Sequence, residues 1–294
     1  MNLLITGAWT GAQKHIKEIE KMGHSVCFMQ NEKDALPRDP DWVEGVICNG
    51  LFLSHPIELF KSLRFIQLTS AGYDRIPMEY VKAHGIEIHN ARGVYSIPMA
   101  EFALCGVLQL YKQSRFFYDN QKRHRWEKHR GLLELNGKTV VIVGCGDVGK
   151  ECAKRFKAFG CRVLGINRTV RETECFDSVF PLSELDALLP EADVLILTIA
   201  ATDETLHLIN AERLKKLKKS AIIVNISRGA VIDTEALTEA LPNIGGAVLD
   251  VFEEEPLCEN SPLWDMENVV VTPHNSFVGD GNGERIAELV LKGI

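Results

Sequence analysis

Short apolar runs alternate with amphipathic stretches along most of the chain. This alternation is typical of βαβ units, in which buried parallel strands are linked by helices. Before Asn90 it predicts a first open sheet, with helices over 10–22, 56–62 and 77–84. The strands of that sheet are predicted at Asn2–Thr6, Ser25–Met29, Gly45–Cys48, Phe65–Leu68 and 86–89.

A second alternation opens at Lys138 and predicts a complete doubly wound domain. Its six strands, with helices between them, are predicted over 139–143, 162–166, 194–199, 221–225, 246–250 and 269–272. A last helix is predicted over 284–292. The predicted fold class is therefore α/β, with two doubly wound parallel-sheet domains.

The segment from Ile97 to Tyr118 has a different pattern. Residues 99–110 have the apolar stripe of one long helix with no strand after it, so this helix has no sheet of its own to cover. An exposed apolar stripe needs a partner, and the pattern therefore predicts a dimer. The basic run Lys122–Arg130 follows and contains Trp126. We expect this run to be a solvated helix face or a subunit arm.

Composition narrows the function classes. The net charge of −7 over 294 residues argues against a general nucleic-acid binder, which would normally be basic. No apolar run reaches the roughly 18 residues of a membrane span, and Met1–Gly7 indicates a first core strand, not a signal peptide. The eight cysteines form no Cys-x-x-Cys pair and no zinc-type spacing with His. We therefore expect no metal site and reduced core cysteines in a cytoplasmic protein.

Gly144, Gly146 and Gly149 form a Gly-x-Gly-x-x-Gly sequence between a predicted strand and a predicted helix over 148–159. In this context the spacing indicates a dinucleotide site. The first glycine allows a tight turn, the second lets the backbone approach a pyrophosphate, and the third lets the helix pack on the strand. The turn at 7–11 lacks the third glycine and is expected to be a plain strand-to-helix turn.

The end of the following strand indicates which nucleotide binds. An NAD site normally has an acid there that binds the ribose 2′-OH, whereas this chain has Asn167 and Arg168. The guanidinium of Arg168 can pair with a 2′-phosphate through its planar fork. We therefore expect NADP(H) to be preferred, with NAD(H) as the alternative.

Arg228, Glu255 and His274 each lie at or just beyond the end of a predicted strand. Because open α/β sheets bind ligands at the carboxyl ends of their strands, these side chains can converge. The set suits hydride transfer to a 2-keto acid. Arg228 would hold the carboxylate and polarise the carbonyl, and His274 would protonate the oxygen. Glu255 would orient the imidazole and favour its charged form.

Together these motifs resemble the D-isomer-specific 2-hydroxyacid dehydrogenase family, which includes glyoxylate/hydroxypyruvate reductases and D-3-phosphoglycerate dehydrogenases. The likeness extends from about Gln67 to His274. It includes further segments at 69–74, 93–101, 135–138, 225–233 and 250–256.

The resemblance implies two domains. A flavodoxin-like substrate domain would comprise residues 1–94 plus 278–294. A Rossmann nucleotide-binding domain would comprise residues 95–277, with a dimerisation arm at about 97–130.

The resemblance also assigns roles. It implies that Arg228, Glu255 and His274 are the catalytic trio. Backbone N–H groups around Ala71 and Gly72 would hold the substrate carboxylate together with the arginine. The residues implied to lie against the cofactor are Gly144, Gly146, Asp147, Val148, Gly149, Asn167, Arg168, Ile199, Ile226, Ser227 and Asp250.

The chain departs from the family pattern in three places. The usual Pro-Leu-Thr after the fourth strand of the second domain is Ala200-Ala201-Thr202, which alters the cofactor edge. The usual His-x-Gly is His274-Asn275-Ser276, so the turn beside the acid differs. The last helix reaches Ile294, which is short for a helix that returns to the first domain.

We expect an NADP(H)-dependent reductase that converts a small 2-keto acid to the D-2-hydroxy acid. D-3-phosphoglycerate dehydrogenase is the alternative enzyme, but it needs a cation for the substrate phosphate where residues 49–52 read Asn-Gly-Leu-Phe. Formate dehydrogenases carry an amide where Glu255 stands. A non-catalytic NAD(P)-sensing protein on the same scaffold is the alternative of another class, and the intact Arg228, Glu255 and His274 favour the enzyme.

Overall fold

A computed structural model describes residues 1–294. The chain divides into two units, the first comprising Met1–Tyr95 and Gly279–Ile294 and the second Ser96–Val278. Each unit has its own parallel sheet, which confirms the predicted α/β class with two parallel-sheet domains. No helix combines the length and the apolar character that crossing a membrane requires.

The first unit is built on a five-stranded sheet in the order β2-β1-β3-β4-β5, which is the flavodoxin-like order. All four strand pairings are parallel. Side chains such as Leu4 and Ile66 pack on one face of the sheet and Leu3 and Ile47 on the other. The strands are β1 Asn2–Thr6, β2 Ser25–Met29, β3 Gly45–Cys48, β4 Phe65–Leu68 and β5 Glu87–His89.

The helices of this unit are shorter than the sequence pattern predicts. The stretch 10–22 contains a 3-10 turn at Ala12–Lys14 and a separate helix, α1, at Ile16–Lys21. The stretch 56–62 forms only the 3-10 turn Ile57–Leu59, because the backbone leaves the helical region at the next residue. The third predicted helix is present as α2, Met78–Ala83.

The second unit has a seven-stranded parallel sheet in the order β12-β11-β10-β9-β6-β7-β8. This arrangement extends the doubly wound dinucleotide-binding order by one strand. Its helices are α3 Ser96–Tyr111, α4 Ser114–Lys122, α5 Asp147–Ala158, α6 Leu185–Leu188, α7 Ala211–Leu214 and α8 Thr234–Ala240. Its strands are β6 Thr139–Val143, β7 Arg162–Ile166, β8 Ser178–Phe180, β9 Val194–Leu197, β10 Ile222–Asn225, β11 Gly246–Leu249 and β12 Val269–Val271.

Strand β8 was not predicted, because three residues are too few for a periodic pattern. Its register is held from outside the strand. Asp177 Oδ2 accepts a hydrogen bond from the backbone N–H of Val163 at 2.7 Å, and Asn167 donates its N–H to the carbonyl of Phe180 at 3.0 Å. The carboxylate of Asp177 and the N–H of Asn167 thus support the two ends of this edge strand.

The long helix α3 corrects one expectation. It was predicted to have no sheet to cover, but it packs on α5 and on strands β10, β11 and β12. Ala100, Ala103 and Val107 are fully buried in that contact, and Tyr111 is nearly so. A Cβ at Gly106 would lie 2.5 Å from Val248 Cγ1, which shows how closely the helix meets the sheet. The side chains that face the sheet are thus buried within the chain, whereas the larger apolar side chains of the stripe stay half-buried, namely Met99, Phe102, Leu104, Leu108 and Leu110.

The last helix, α9 (Asn282–Gly293), belongs to the first unit. Ile286, Ala287 and Val290 pack in the same apolar cluster as Leu3 and Ile5. The helix therefore returns to the first unit, although the sequence suggested that it was short for this role.

All eight cysteines are free thiols. Burial raises the pKa of Cys145 and Cys161 to about 11 and that of Cys152 to about 12. These buried thiols therefore stay protonated and behave as small apolar side chains. Cys105 and Cys258 differ from the expected core placement, because both are exposed.

Candidate active site

The glycine loop between β6 and α5 is tightly packed. Gly144 has a φ of 105°, and its N–H donates to the carbonyl of Ile166 at 2.8 Å. A Cβ at Gly149 would lie 2.0 Å from the carbonyl oxygen of Gly144. Glycine is therefore required at both positions for α5 to start so close to the strand.

The middle glycine faces open space. No atom lies within 4 Å of the position that a Cβ on Gly146 would occupy, and no side chain caps α5 at this residue. The amino end of α5 therefore faces open space, beside the half-buried Asp147 and Val148, and a helix N-terminus favours an anion. This is the cradle that a pyrophosphate needs, so the residues present fit a dinucleotide.

Two residues at the end of β9 complete the loop. Thr198 Oγ1 donates to the carbonyl of Gly144 at 2.8 Å. The Ile199 Cγ2 atom lies 2.8 Å from the position of a Cβ on the same glycine. The structure therefore places Ile199 over the glycine loop, and it adds Thr198, which the sequence motifs did not single out.

The turn after β7 carries Asn167 and Arg168. The side chain of Asn167 is half-buried and donates Nδ2 to the carbonyl of Thr169 at 3.0 Å, whereas Arg168 is exposed. The strand end therefore presents an amide and a cation, with no carboxylate in the turn.

Asn225 shapes the turn that presents Arg228. Its Oδ1 accepts hydrogen bonds from the N–H and the hydroxyl of Ser227, and its Nδ2 donates to the carbonyl of Arg228 at 3.0 Å. Ser227 and Ile226 are buried, while Arg228 is exposed. Asn225 is a positioning residue that the sequence analysis did not identify.

The turn at Arg228 presses against the loop after β11. A Cβ on Gly229 would lie 1.8 Å from the carbonyl carbon of Phe252. Only glycine permits this approach, which brings Arg228 next to the loop that carries Glu255.

Glu253 braces the same loop from the other side. Its Oε1 lies 2.6 Å from Nε2 of His207, and its Oε2 accepts the N–H of Thr234 at 2.8 Å. Burial would raise the pKa of Glu253, but the hydrogen bonds from Thr234 and His207 outweigh it and hold that pKa below its ordinary value. The carboxylate is therefore charged at neutral pH and ties three loops together.

Asp250 holds the turn that follows β12. It is fully buried, and its Oδ1 accepts from the hydroxyl of Thr272 and the N–H of Asn275, both at 2.7 Å. Its Oδ2 accepts the N–H of Ser276 at 2.9 Å, and its backbone carbonyl accepts the N–H of His274 at 2.7 Å. The unusual His-Asn-Ser turn is thus fixed by bonds to one residue.

His274 and Glu255 are brought together. Nδ1 of His274 lies 2.8 Å from Oε2 of Glu255, and Oε1 of Glu255 accepts the N–H of Phe252 at 3.1 Å. The side chains are 42% and 37% exposed. With the carboxylate on Nδ1, Nε2 is left to exchange a proton with a bound molecule.

Ala71 and Gly72 lie in a loop of the first unit whose carbonyl groups all accept hydrogen bonds from within that unit. Tyr95 OH donates to the carbonyl of Thr69, and Ala91 N–H donates to that of Ser70 at 2.8 Å. The carbonyl of Ala71 accepts Asn90 Nδ2 at 2.6 Å, and that of Gly72 accepts Ser70 Oγ at 3.0 Å. The N–H groups of Ala71 and Gly72 donate to no group in the chain, so this loop can receive an anion. Tyr95 lies in the segment 93–101 that carries the resemblance, whereas Asn90 is a positioning residue that the sequence motifs did not reveal.

Comparisons with known proteins identify the family of this chain. Residues 104–276, more than half of the chain, match the family model described as the NAD binding domain of D-isomer specific 2-hydroxyacid dehydrogenases. A glyoxylate reductase of Pyrococcus horikoshii is 39% identical over 250 residues, which are 81% of this chain and 75% of that protein.

Two solved structures are also similar. A D-isomer specific 2-hydroxyacid dehydrogenase family protein from Aeromonas salmonicida has 30% identity and a TM-score of 0.85, covering 99% of this chain and 94% of that one. A D-isomer specific 2-hydroxyacid dehydrogenase from Xanthobacter autotrophicus, in complex with NADPH and MES, has 29% identity and a TM-score of 0.78 with the same coverage. The chain described here belongs to the D-isomer-specific 2-hydroxyacid dehydrogenase family and is an NAD(P)-dependent oxidoreductase acting on CH–OH donors.

Proposed function

We propose that this protein is an NADPH-dependent reductase of glyoxylate or a similarly small 2-keto acid, forming the D-2-hydroxy acid where the product is chiral. The observation that carries the proposal is the 2.8 Å contact between Glu255 and His274, next to the turn that presents Arg228. A bound nicotinamide supplies the hydride. The protein must supply the proton, the orientation and the charge that stabilises the developing oxyanion.

His274 is the proton donor in this proposal. The proton leaves Nε2 and bonds to the carbonyl oxygen of the keto acid as hydride arrives at the carbonyl carbon. Glu255 keeps Nδ1 protonated and stabilises the imidazolium before transfer. The exposed guanidinium of Arg228 holds the carboxylate and the carbonyl oxygen.

The N–H groups of Ala71 and Gly72 are proposed to receive the substrate carboxylate. Backbone donors that are fixed in advance bind an anion without paying for reordering. Their four tied carbonyl groups, over 69–72, support this role.

The preference for NADPH rests on Asn167 and Arg168. An exposed arginine can pair with a 2′-phosphate, and no carboxylate stands in the turn to repel it. The relative from Xanthobacter that was solved with NADPH supports this preference. The side chains of Ile199 and Val148 and the N–H groups at Gly146 are proposed to hold the rest of the cofactor.

The identity of the substrate rests on a relative. Residues 49–52 carry no cation of their own, but Arg75 Cδ lies 3.6 Å from the position of a Cβ on Gly50, so a phosphorylated keto acid stays the alternative substrate that the panel below tests. The Pyrococcus relative is a glyoxylate reductase. The presence of Arg228, Glu255 and His274 disfavours a purely cofactor-sensing protein.

We further propose a cytoplasmic homodimer whose arm is the segment around α4. The exposed aromatic side chains there support the dimer, together with the half-buried apolar side chains of α3. Trp126 is 99% exposed, and Tyr118 and Phe117 are also exposed.

A substrate and cofactor panel tests the proposed function. Glyoxylate, hydroxypyruvate, pyruvate and 3-phosphohydroxypyruvate are each assayed with NADPH and with NADH. We expect the highest kcat/KM for a small unphosphorylated keto acid with NADPH. Preference for the phosphorylated substrate would contradict the assignment, and cofactor binding without reduction of any keto acid would favour a sensing protein.

A further inference from the structure

The carboxylate of Glu32 joins three neighbouring strand ends of the first unit. Glu32 follows β2, and its Oε1 accepts the hydroxyl of Thr6, at the end of β1, at 2.8 Å. The same oxygen accepts the N–H of Asn49 at 2.7 Å, and Oε2 accepts the N–H of Gly50 at 2.7 Å. Hydrogen bonds to a charged acceptor are roughly twice as strong as neutral ones. Glu32 therefore fixes the turn that follows β3.

The amide side chain within that turn does not hold it. The Oδ1 atom of Asn49 is shielded from solvent and has no hydrogen-bond partner. After Gly50 the chain enters the 3-10 turn Leu51–Leu53, in which Leu51 is fully buried. The two hydrogen bonds from Asn49 and Gly50 to the carboxylate of Glu32 therefore set where β3 ends and how the Asn49–Gly50 turn is oriented.

The turn lies beside the loop at 69–72, which is proposed to receive the substrate carboxylate. Strands β3 and β4 are paired, and Thr69 donates its N–H to the carbonyl of Cys48 at 2.8 Å. A Cβ on Gly50 would lie 3.5 Å from Oε2 of Glu32 and 3.6 Å from Cδ of Arg75, a residue just past the loop at 69–72. The clamped turn and the free N–H groups of that loop thus share one edge of the sheet.

We infer that Glu32 is a positioning residue for substrate selection, which sets the room for the group attached to the keto carbon by fixing the Asn49–Gly50 turn. This inference rests on the proposed function, in which the substrate carboxylate is held at Ala71 and Gly72. A fixed turn favours a small substituent. A mobile turn loses conformational freedom when substrate binds, which weakens binding, and it can move aside to admit a larger substituent.

The variant Glu32→Gln tests the inference with almost no change in volume. An amide nitrogen cannot accept a hydrogen bond, so one of the two N–H groups loses its acceptor. We expect KM for glyoxylate to rise roughly tenfold, the order for losing one charge-assisted bond. We expect kcat to change less than about twofold, because the turn is ordered once substrate is bound. The ratio of kcat/KM for 2-ketobutyrate to that for glyoxylate should rise.

Glu44→Gln is the matched control. Glu44 also binds a backbone N–H of the same sheet, that of Asn2 at 2.8 Å, but at the amino ends of the strands. It should change neither KM nor the selectivity ratio. Thermal unfolding and NADPH binding are measured for both variants, so that a misfolded protein is recognised.

The outcomes separate this inference from the function on which it rests. An active wild-type enzyme whose KM and selectivity ratio are the same in Glu32→Gln would overturn the role of Glu32 alone. An equal rise of KM in Glu44→Gln, or a fall in kcat with KM unchanged, would do so as well. A wild-type protein that reduces no keto acid would overturn the proposed function, and the inference with it.

Discussion

Glu255 and His274 lie at the ends of different loops, yet Oε2 of the first is 2.8 Å from Nδ1 of the second. Each of the two residues is also fixed by a hydrogen bond with a backbone group. His274 has a φ of 51°, and its N–H is bound to the carbonyl of Asp250, while the second oxygen of Glu255 accepts the N–H of Phe252. A left-handed backbone at a non-glycine residue is costly and persists only where its surroundings impose it. The pair is therefore a built feature of the second unit.

The first prediction follows from this pair. In Glu255→Gln the carboxylate that contacts Nδ1 of His274 becomes a neutral amide, so kcat should fall while the enzyme stays active. His274→Ala should lower kcat further, roughly 10²–10⁴-fold, the usual loss for a positioned acid. The measurement is kcat and KM for keto-acid reduction at one fixed pH. Glu254→Gln, at an exposed neighbouring carboxylate, is the control and should retain the wild-type kcat. A wild-type kcat in Glu255→Gln would refute the pairing.

The glycine loop offers a second prediction, because two of its glycines differ in surroundings. Gly146→Ala meets no protein atom within 4 Å, so folding should be unaffected, but the methyl group should obstruct the pyrophosphate and weaken NADPH binding at least tenfold. Gly149→Ala would collide with the carbonyl of Gly144 and should lower the unfolding temperature as well. Calorimetry and cofactor titration measure both effects. Equal thermal stabilities for the two variants would contradict this distinction.

The predicted fold followed from the hydrophobic pattern because strands buried on both faces are continuous apolar runs. The edge strand β8 escaped prediction, since it has three residues and depends on a carboxylate outside the strand. The elements that cover the apolar face of α3 were also not predicted. An apolar helix shows that a face must be covered, and it does not show that β10–β12 and α5 cover it.

The candidate site was predictable where chemistry needs a particular residue type at a strand end, as at Arg228, Glu255 and His274. Thr198, Asn225 and Glu32 were not predictable in the same way. Thr198 and Glu32 act on backbone groups of other loops, and no spacing along the chain records which loops become neighbours. Asn225 acts on Ser227 and Arg228 of its own turn, and its residue type alone does not reveal that role. Their functional signal lies in three-dimensional contacts alone.

Cofactor choice gives the third prediction. Wild-type enzyme should bind NADPH more tightly than NADH, because one charge-assisted contact from Arg168 is worth about 1.5–3 kcal/mol. The double variant with Asn167→Asp and Arg168→Gln should reverse this preference, since the new carboxylate binds the ribose hydroxyl and repels a 2′-phosphate. Dissociation constants from fluorescence titration provide the test. Equal affinities of the wild type for the two cofactors would refute it.

The arm gives the fourth prediction. If the exposed aromatic side chains of residues 117–126 contact a second copy, sedimentation should give about twice the monomer mass of 32.8 kDa. Trp126→Glu should shift the protein toward a monomer that remains folded, because the indole is 99% exposed within the chain. Met22→Glu, at an exposed apolar residue of the first unit, serves as control. A mass near 33 kDa for the wild type at micromolar concentration would exclude the dimer.

The last prediction concerns Asp177, the carboxylate that registers β8. Its Oδ1 accepts Lys157 Nζ at 2.7 Å and its Oδ2 the N–H of Val163, and these bonds hold the pKa of Asp177 below its ordinary value. The group thus adds stability at pH values above about 4, its unfolded pKa, and this is lost as pH falls through the lower folded value. Asp177→Asn should therefore lower the urea midpoint most at neutral pH, and the gap between the two midpoints should shrink as pH falls below about 4. A gap that is constant with pH would mean that the charge of Asp177 does not stabilise this edge.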